Sequence, residues 1–289
     1  MNDKLVNQQQ ILSVAERISK FTVGIAAENN TAIGTGTLVA HGKSRYVLTA
    51  EHVIRGVDPT TLKFWCRPDS PIIEKAAADA TIADIGRLTE GISLPIDKVE
   101  LNVELDVALL EISPTFELPS PCEYYDLSRS QQFMVWPESK LDGCSLMYFG
   151  FPVQNSQVLA EEGNKKLLYL GCAYSFCHYD SDLNRTLWNR IHHRFSAERD
   201  FLMKYEAPEG AIHPGGFSGC GIWLCTQTPD QQVWQPDPML IGVMKQYLPT
   251  LDTLIATKIP QNLTVLNVKS NGKNIVQNES YLLANESDV

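Results

Sequence analysis

Gly34-Thr35-Gly36-Thr37-Leu38-Val39-Ala40 begins with two glycines and continues as an apolar run. A polar turn follows at His41-Gly42-Lys43-Ser44, and a second run of strand-forming residues reads Tyr46-Val47-Leu48-Thr49-Ala50. Two such runs around a polar turn predict a β-hairpin. His52 lies just beyond the second run, so we expect its imidazole where a strand ends and a loop begins.

An aspartate lies in a second predicted strand. Within residues 99–112, apolar side chains alternate with polar or charged ones and then give way to an apolar stretch. This pattern is typical of a strand that enters a core. We therefore expect Asp106, at the start of Asp106-Val107-Ala108-Leu109-Leu110, to be partly desolvated beside packed neighbours.

A serine follows two glycines in Gly215-Gly216-Phe217-Ser218-Gly219. Glycine allows the backbone conformations that a sharp turn needs. Such a turn can direct the N–H groups of Gly216 and Ser218 at one point, which is the arrangement that stabilises an oxyanion.

Each of these residues also has an ordinary explanation when it is taken alone. The histidine could be a surface residue, the aspartate a strand-edge charge that discourages aggregation, and the glycine-rich stretch a plain turn. The three settings together, in the order His52, Asp106, Ser218, favour a catalytic site.

At this point the chain resembles the trypsin-like (chymotrypsin-fold) serine peptidases, over roughly residues 20–260. It is more similar to bacterial stand-alone members and to the high-temperature-requirement protease domain than to the disulfide-rich digestive enzymes. The matching segments are Gly34 to Leu38, Val47 to Val53, Asp106 to Leu110, Tyr148-Phe149-Gly150-Phe151-Pro152, Gly215 to Gly219 and Leu240-Ile241-Gly242-Val243.

The resemblance implies an all-β fold of two packed antiparallel six-stranded β-barrels with a short N-terminal helix. We expect the helix at residues 1–20, the first barrel with His52 and Asp106 at 21–118, and a linker at 119–139. The second barrel with Ser218 is expected at 140–262, with an insert at 178–199, and a polar tail at 263–289. The apolar residues near the end of the helix predict that it packs on the first barrel.

The same resemblance implies a serine endopeptidase that cleaves protein or peptide substrates through an acyl-enzyme. Ser218 would be the nucleophile, His52 the general base and acid, and Asp106 the group that orients the imidazole. The backbone amides of Gly216 and Ser218 would form the oxyanion hole.

Two departures from the family pattern concern activation and the nucleophile. Phe217 replaces the aspartate that captures a freed N-terminus in zymogen-derived enzymes, and the Ile-Val-Gly-Gly activation sequence is absent. Unwanted proteolysis would then be prevented by narrow specificity or by a regulatory protein partner. Cys220 is an alternative nucleophile, since viral relatives use cysteine, but it lies two residues late in the motif.

The resemblance also points to residues of a substrate pocket. Ile212, six residues before the serine, would form its apolar base, and Met244, Lys245 and Tyr247 would line the other side. Lys245 would point either at an acidic substrate group or at solvent, and Tyr247 would partly close the pocket. A closed pocket leaves a second function open, that of a catalytically silent trypsin-fold binding or scaffold protein.

The composition argues against several other classes of function. The 289 residues have a net charge of −10, which argues against a broad nucleic-acid surface. Seven cysteines without C-x-x-C spacing do not support a zinc ribbon and are expected as free thiols. The His192-His193 pair is better explained by a solvated face than by a metal site, and we expect no metal or cofactor.

The first ten residues lack a hydrophobic signal core, and no apolar run reaches membrane length. The sequence therefore predicts a cytoplasmic protein of the bacterial type with no membrane contact.

Overall fold

The computed structural model describes residues 2–27, 32–66, 73–74, 83–84, 91–130, 141–153, 156–162, 165–170, 173–191, 195–205, 213–226 and 234–259. Its helices are α1 (Asn2–Ser19), α2 (Glu51–Ile54) and α3 (Ser181–Leu187). The strands of the N-terminal half are β1 (Thr22–Ala26), β2 (Ala32–His41), β3 (Ser44–Thr49), β4 (Lys63–Cys66), β5 (Ile73–Glu74), β6 (Ala83–Asp84), β7 (Ile96–Asn102), β8 (Val107–Ile112) and β9 (Tyr125–Asp126). Those of the C-terminal half are β10 (Ser145–Gly150), β11 (Ser156–Glu162), β12 (Lys165–Leu170), β13 (Ala173–His178), β14 (Asp200–Lys204), β15 (Gly221–Thr226), β16 (Trp234–Leu248) and β17 (Thr253–Lys258).

The first sheet has the strand order β4-β1-β2-β3-β8-β7, with β9 pairing β2 in parallel. The predicted hairpin is its centre: β2 and β3 pair antiparallel with Thr37 opposite Leu48, and Gly42 has φ +60° in the turn. Glycine suits that turn because other residues rarely adopt a positive φ.

The second sheet has the order β13-β10-β15-β16-β17-β14, and its neighbouring strands pair antiparallel. The prediction of an all-β fold with two six-stranded antiparallel units is confirmed. Among the described strands, the first and last strands in the order of each sheet do not pair with each other, so each sheet remains open.

An aromatic cluster joins the two sheets. Phe21 stacks on Trp223 with ring centroids 5.5 Å apart, and Tyr125 meets both rings edge-on at 5.6 and 5.0 Å. All three residues are almost fully buried. Offset and edge-to-face contacts of this kind add to the free energy gained from burying the ring area, so the cluster fixes one sheet against the other.

The N-terminal helix contacts more of the protein than predicted. Val14, Ala15 and Ile18 are buried in the core cluster that contains Trp223. α1 contacts β1 of the first sheet, as expected, but it contacts β16 and β10 of the second sheet more extensively, so the helix packs against both sheets. Hydrophobic periodicity locates the apolar face of a helix but does not say which sheet covers it.

The six described cysteines are free thiols, with Cys144, Cys220 and Cys225 buried. None of the described helices combines the length and apolar character that a membrane crossing requires.

Candidate active site

His52 lies on the short helix α2, immediately after β3. Its neighbours on both sides are buried, with Glu51 paired to the Arg55 guanidinium and Val53 packed in the first core. The imidazole between them remains 39% exposed. Buried flanking residues thus hold the helix while the histidine side chain faces outward.

Asp106 accepts two kinds of hydrogen bond from His52. His52 Nδ1 lies 2.8 Å from Oδ2 and 3.0 Å from Oδ1, and the His52 backbone N–H donates to Oδ1 at 3.0 Å. An ionised carboxylate can only accept, so the ring proton is on Nδ1 and Nε2 is left as an acceptor. This is the tautomer that a general base requires.

The backbone at Asp106 is held in an unusual conformation. Its φ is +51°, which is uncommon for a residue with a side chain. The Asp106 N–H donates to Val103 O at 3.3 Å, and the Leu105 N–H donates to the Asn102 side chain at 2.9 Å. These bonds within the turn help to keep the carboxylate directed at His52.

The pKa of Asp106 is lower than that of an ordinary aspartate. Burial by itself would raise this pKa, but the hydrogen bonds and charge of His52 and the positive charge of Lys245 outweigh it. The carboxyl group is therefore ionised at neutral pH.

Ser218 lies in a sharp turn between two glycines of positive φ. Gly216 has φ +96° and Gly219 has φ +87°. A Cβ on Gly216 would come within 2.6 Å of Phe151 O, and one on Gly219 within 2.1 Å of Thr35 O. Both glycines are thus required by conformation and by space. Phe217, which the sequence marked as a departure from the family, is buried against Tyr148 with ring centroids 5.2 Å apart.

Two amide groups at this turn are available as donors. Among the hydrogen bonds of the described residues, none uses the N–H of Gly216 or the N–H of Ser218. Free N–H groups on the two residues named from the sequence are what an oxyanion hole requires.

Thr35 was not identified from the sequence as part of the site. Its hydroxyl donates to Gly216 O at 2.8 Å and accepts from the Phe151 N–H at 3.0 Å, and its own N–H donates to Ser218 O at 2.9 Å. The sequence places Gly34-Thr35-Gly36 in a hairpin and in a segment that matches the trypsin-like peptidases but gives Thr35 no role, although a hydroxyl between two glycines was the available signal.

Ser218 Oγ donates a hydrogen bond to the backbone carbonyl of Lys245 at 3.2 Å. Within the described part of the chain, no hydrogen bond joins Ser218 to His52. The serine is therefore at the site but engaged with β16 in this arrangement.

The three candidate catalytic residues line one cleft of about 770 Å³. Its walls come from both sheets, since Arg55, Val103 and Glu104 lie on one side and Gly215 and Tyr247 on the other. Phe195 and Arg199, from the predicted 178–199 insert, also line it.

Two of the predicted pocket residues are placed differently from expectation. Met244 is buried in the second core cluster and does not line the cleft. Lys245 points neither at solvent nor at an open pocket: its side chain is 3% exposed, and Nζ lies 2.6 Å from Asp200 Oδ1. Tyr247 does line the cleft, and Ile212 lies outside the described residues.

Cys220 is a poor alternative to Ser218. Its side chain is fully buried in the second core cluster, and burial raises the pKa of its thiol. The thiolate is the reactive form of cysteine, so a buried thiol of raised pKa is inert. The pair His192-His193 lies outside the described residues, and the remainder has no cluster of three or more candidate metal ligands.

No protein-family model and no curated protein sequence matches the chain. A solved structure that resembles it is the crystal structure of the scabies mite inactivated protease paralogue S-D1. The two share 12% sequence identity with a TM-score of 0.52, over 86% of this chain and 91% of that one. At an identity this low, the structural likeness bears on the fold alone. Together with the two antiparallel sheets, this likeness shows that the chain has a trypsin-like fold.

Proposed function

We propose that this protein is a serine endopeptidase in which Ser218, His52 and Asp106 act as the catalytic triad. The observation that supports this most directly is the paired hydrogen bonding of the Asp106 carboxylate to His52 Nδ1 and to the His52 backbone N–H. A carboxylate that holds the imidazole at two points orients Nε2 and stabilises the imidazolium that forms during the reaction.

The chemistry follows from these positions. Ser218 Oγ attacks the carbonyl carbon of a peptide bond while His52 Nε2 takes the hydroxyl proton. The carbonyl oxygen becomes an oxyanion, which the N–H groups of Gly216 and Ser218 stabilise. When the tetrahedral intermediate collapses, the C–N bond breaks, the amine leaves with the proton from His52, and an ester remains on Ser218. Water then attacks the ester while His52 takes its proton, the bond between the acyl carbon and Ser218 Oγ breaks, the acid product leaves, and His52 returns the proton to Oγ.

The reaction requires one rotation. Ser218 Oγ must leave the Lys245 carbonyl before its proton can pass to His52. Ser218 is only partly buried, and rotation of a side chain that is not tightly packed is a fast motion. We propose that an extended peptide in the cleft favours the reactive arrangement.

We further propose protein or peptide substrates, with narrow specificity or a regulatory protein partner as the means of restraint. Tyr247 supports narrow specificity, because it narrows the cleft beside Ser218 and is held by edge contacts to Tyr205 and His213 at 5.3 and 5.9 Å. The likeness to bacterial stand-alone members and the cytoplasmic location remain proposals from the sequence.

A second candidate function is a catalytically silent binding or scaffold protein with the same fold. The hydrogen bond from Ser218 to the Lys245 carbonyl favours this alternative, since it commits the hydroxyl proton away from His52. The cleft would then bind a peptide without cleaving it.

Covalent labelling with a fluorophosphonate separates the two functions. We expect one adduct by intact mass on the wild type, none on Ser218→Ala, and retained labelling on Cys220→Ala. Thermal unfolding of Ser218→Ala should match that of the wild type, which would exclude misfolding. A wild type that is folded yet unlabelled over pH 6–9 would contradict the endopeptidase proposal and support the silent alternative.

A further inference from the structure

Lys245 and Asp200 form a buried ion pair behind the cleft. The Lys245 side chain is 3% exposed and the Asp200 side chain 0% exposed, with Nζ 2.6 Å from Oδ1. The second oxygen of Asp200 accepts from the Ser196 N–H at 3.1 Å. Removing two charges from water is costly, and buried pairs often contribute little net stability compared with apolar residues. Stability alone therefore does not account for this pair.

Lys245 occupies an irregular position on its strand. The register between β16 and β17 shifts between Met244 and Gln246, so Lys245 is the extra residue of a β-bulge. Bulges redirect a side chain and occur often beside active sites. Here the bulge places the Lys245 carbonyl on Ser218 Oγ and its ammonium on Asp200.

The pair also lies under the turn that contains Asp106. Asp200 pairs with Thr257 in the ladder of β14 and β17, and the Thr257 hydroxyl donates to Leu105 O at 2.7 Å. Arg199, next to Asp200, pairs with Glu104 in the same turn. Residues of the second sheet thus support the strained backbone of Asp106 from the first.

The two members of the pair differ in their distance from the cleft. Lys245 is one of the cleft-lining residues, whereas Asp200 lies behind the wall. Lys245 contacts the site through its backbone carbonyl, which accepts from Ser218 Oγ. The Lys245 ammonium stays buried against Asp200, and its positive charge is among the groups that lower the pKa of Asp106.

We propose that Lys245 is a positioning residue of this site, whose buried ammonium stabilises the ionised Asp106 and opposes protonation of His52, with Asp200 as its counter-ion. This inference rests on the proposed function, because it assigns a role within the same triad.

Other charged groups around the triad also act on the protonation of His52 and Asp106, and they must stay unchanged in the test. On the neighbouring elements these are Glu51, Arg55, Glu104, Arg199 and His213.

The test compares Lys245→Met with Asp200→Asn. Each variant breaks the same ion pair, so a purely structural role predicts the same change in both. Our proposal predicts opposite changes in the pH dependence of fluorophosphonate labelling. Loss of the cation should move the acid limb to higher pH, and loss of the anion should move it to lower pH. Each displacement should be roughly one pH unit, the order expected for a unit charge several ångströms away.

Either single variant could fail to fold, because each leaves one buried charge without its partner. The double variant Lys245→Met/Asp200→Leu removes both charges and keeps an apolar fill. We expect it to fold and to show the acid limb at higher pH than the wild type, since of the two charges only that of Lys245 is among the groups that lower the pKa of Asp106. Arg17→Met/Glu123→Gln, which removes an ion pair at the N-terminal helix, is the matched control and should leave the profile unchanged.

A readout that needs no activity keeps the test independent of the proposed function. The pH titration of the His52 ring protons by NMR should show the same displacements in the same variants. An unlabelled wild type with displaced titrations would contradict the endopeptidase but support the role of Lys245. Unchanged titrations in a folded double variant would overturn it, whether or not the wild type is labelled.

Discussion

The Thr35 hydroxyl donates a hydrogen bond to the backbone carbonyl of Gly216, 2.8 Å away and 181 residues later in the chain. Thr35 is on β2 of the first sheet, and Gly216 lies in the turn before Ser218 on the second. This bond, together with the bond from Thr35 N–H to Ser218 O, attaches the nucleophile turn to the opposite sheet. The orientation of the Gly216 peptide therefore depends on both halves of the molecule.

Thr35→Val tests this attachment, because valine has the same shape but no hydroxyl. We expect a loss of about 1–3 kcal/mol in the free energy of unfolding, since the Phe151 N–H loses its acceptor and the Gly216 carbonyl its donor. Fluorophosphonate labelling should slow by roughly tenfold, which is less than the roughly 10²–10³-fold cost of removing one oxyanion donor, because here the donor is misdirected and not removed. The control is Thr22→Val, which removes a buried hydroxyl bond to Ile18 O away from the site. Equal labelling rates in the two variants would contradict the prediction.

Gly216→Ala should disrupt the oxyanion turn. Its φ of +96° disfavours any side chain, and the new Cβ would lie 2.6 Å from both Phe151 O and Val153 N. Backbone strain of this kind costs about 1–3 kcal/mol, and the displaced amide should abolish most labelling. Gly42→Ala is the matched control, with φ +60° and no atom within 4 Å of its Cβ. Gly42→Ala should lose stability but keep the wild-type labelling rate. A Gly216→Ala protein that also labels at the wild-type rate would show that the Gly216 amide has no role.

Asp106→Asn should remove a pH-dependent part of the stability. The folded pKa of Asp106 is lowered, so its ionised form stabilises the fold above the ordinary aspartate value of about 3.9. That contribution is lost as pH falls through the lower folded pKa. We therefore expect the stability difference between wild type and Asp106→Asn, measured by urea unfolding, to be constant near neutral pH and to shrink below about pH 4. In a His52→Ala background the difference should be much smaller, because the bonds that lower the pKa come chiefly from His52.

Cys220 should be unreactive in the folded protein. Its thiol is fully buried and its pKa is raised by burial, so iodoacetamide should not modify it until the protein is unfolded with urea. Mass analysis of peptides from native and unfolded samples measures this directly. Rapid alkylation of native Cys220, or loss of fluorophosphonate labelling in Cys220→Ala, would reopen the question of the nucleophile.

The sequence indicated the correct local elements around the site. The β2–β3 hairpin and the glycine turn at Ser218 follow from glycine, β-branched and apolar spacing, which act over a few residues. The predicted helix lies within α1, but only its contact with the first sheet was predicted and not that with the second, because periodicity does not specify what covers a face.

The side-chain directions around the cleft could not be derived in the same way. Lys245 was expected to reach solvent or substrate, but a bulge and a partner 45 residues away turn it into the interior. Thr35 passed unnoticed because its hydrogen-bond acceptor belongs to a distant segment.

The sequence by itself determined the strand-rich pattern, the order His52, Asp106, Ser218 and the two glycines that the nucleophile turn requires. Those properties depend on the conformational preferences of single residues and their near neighbours. Only the tertiary structure decided that Asp106 holds His52 at two points, that Thr35 holds the Gly216 carbonyl and that Lys245 faces Asp200. Each of these is a contact between residues far apart in the chain, fixed by how the two sheets pack together.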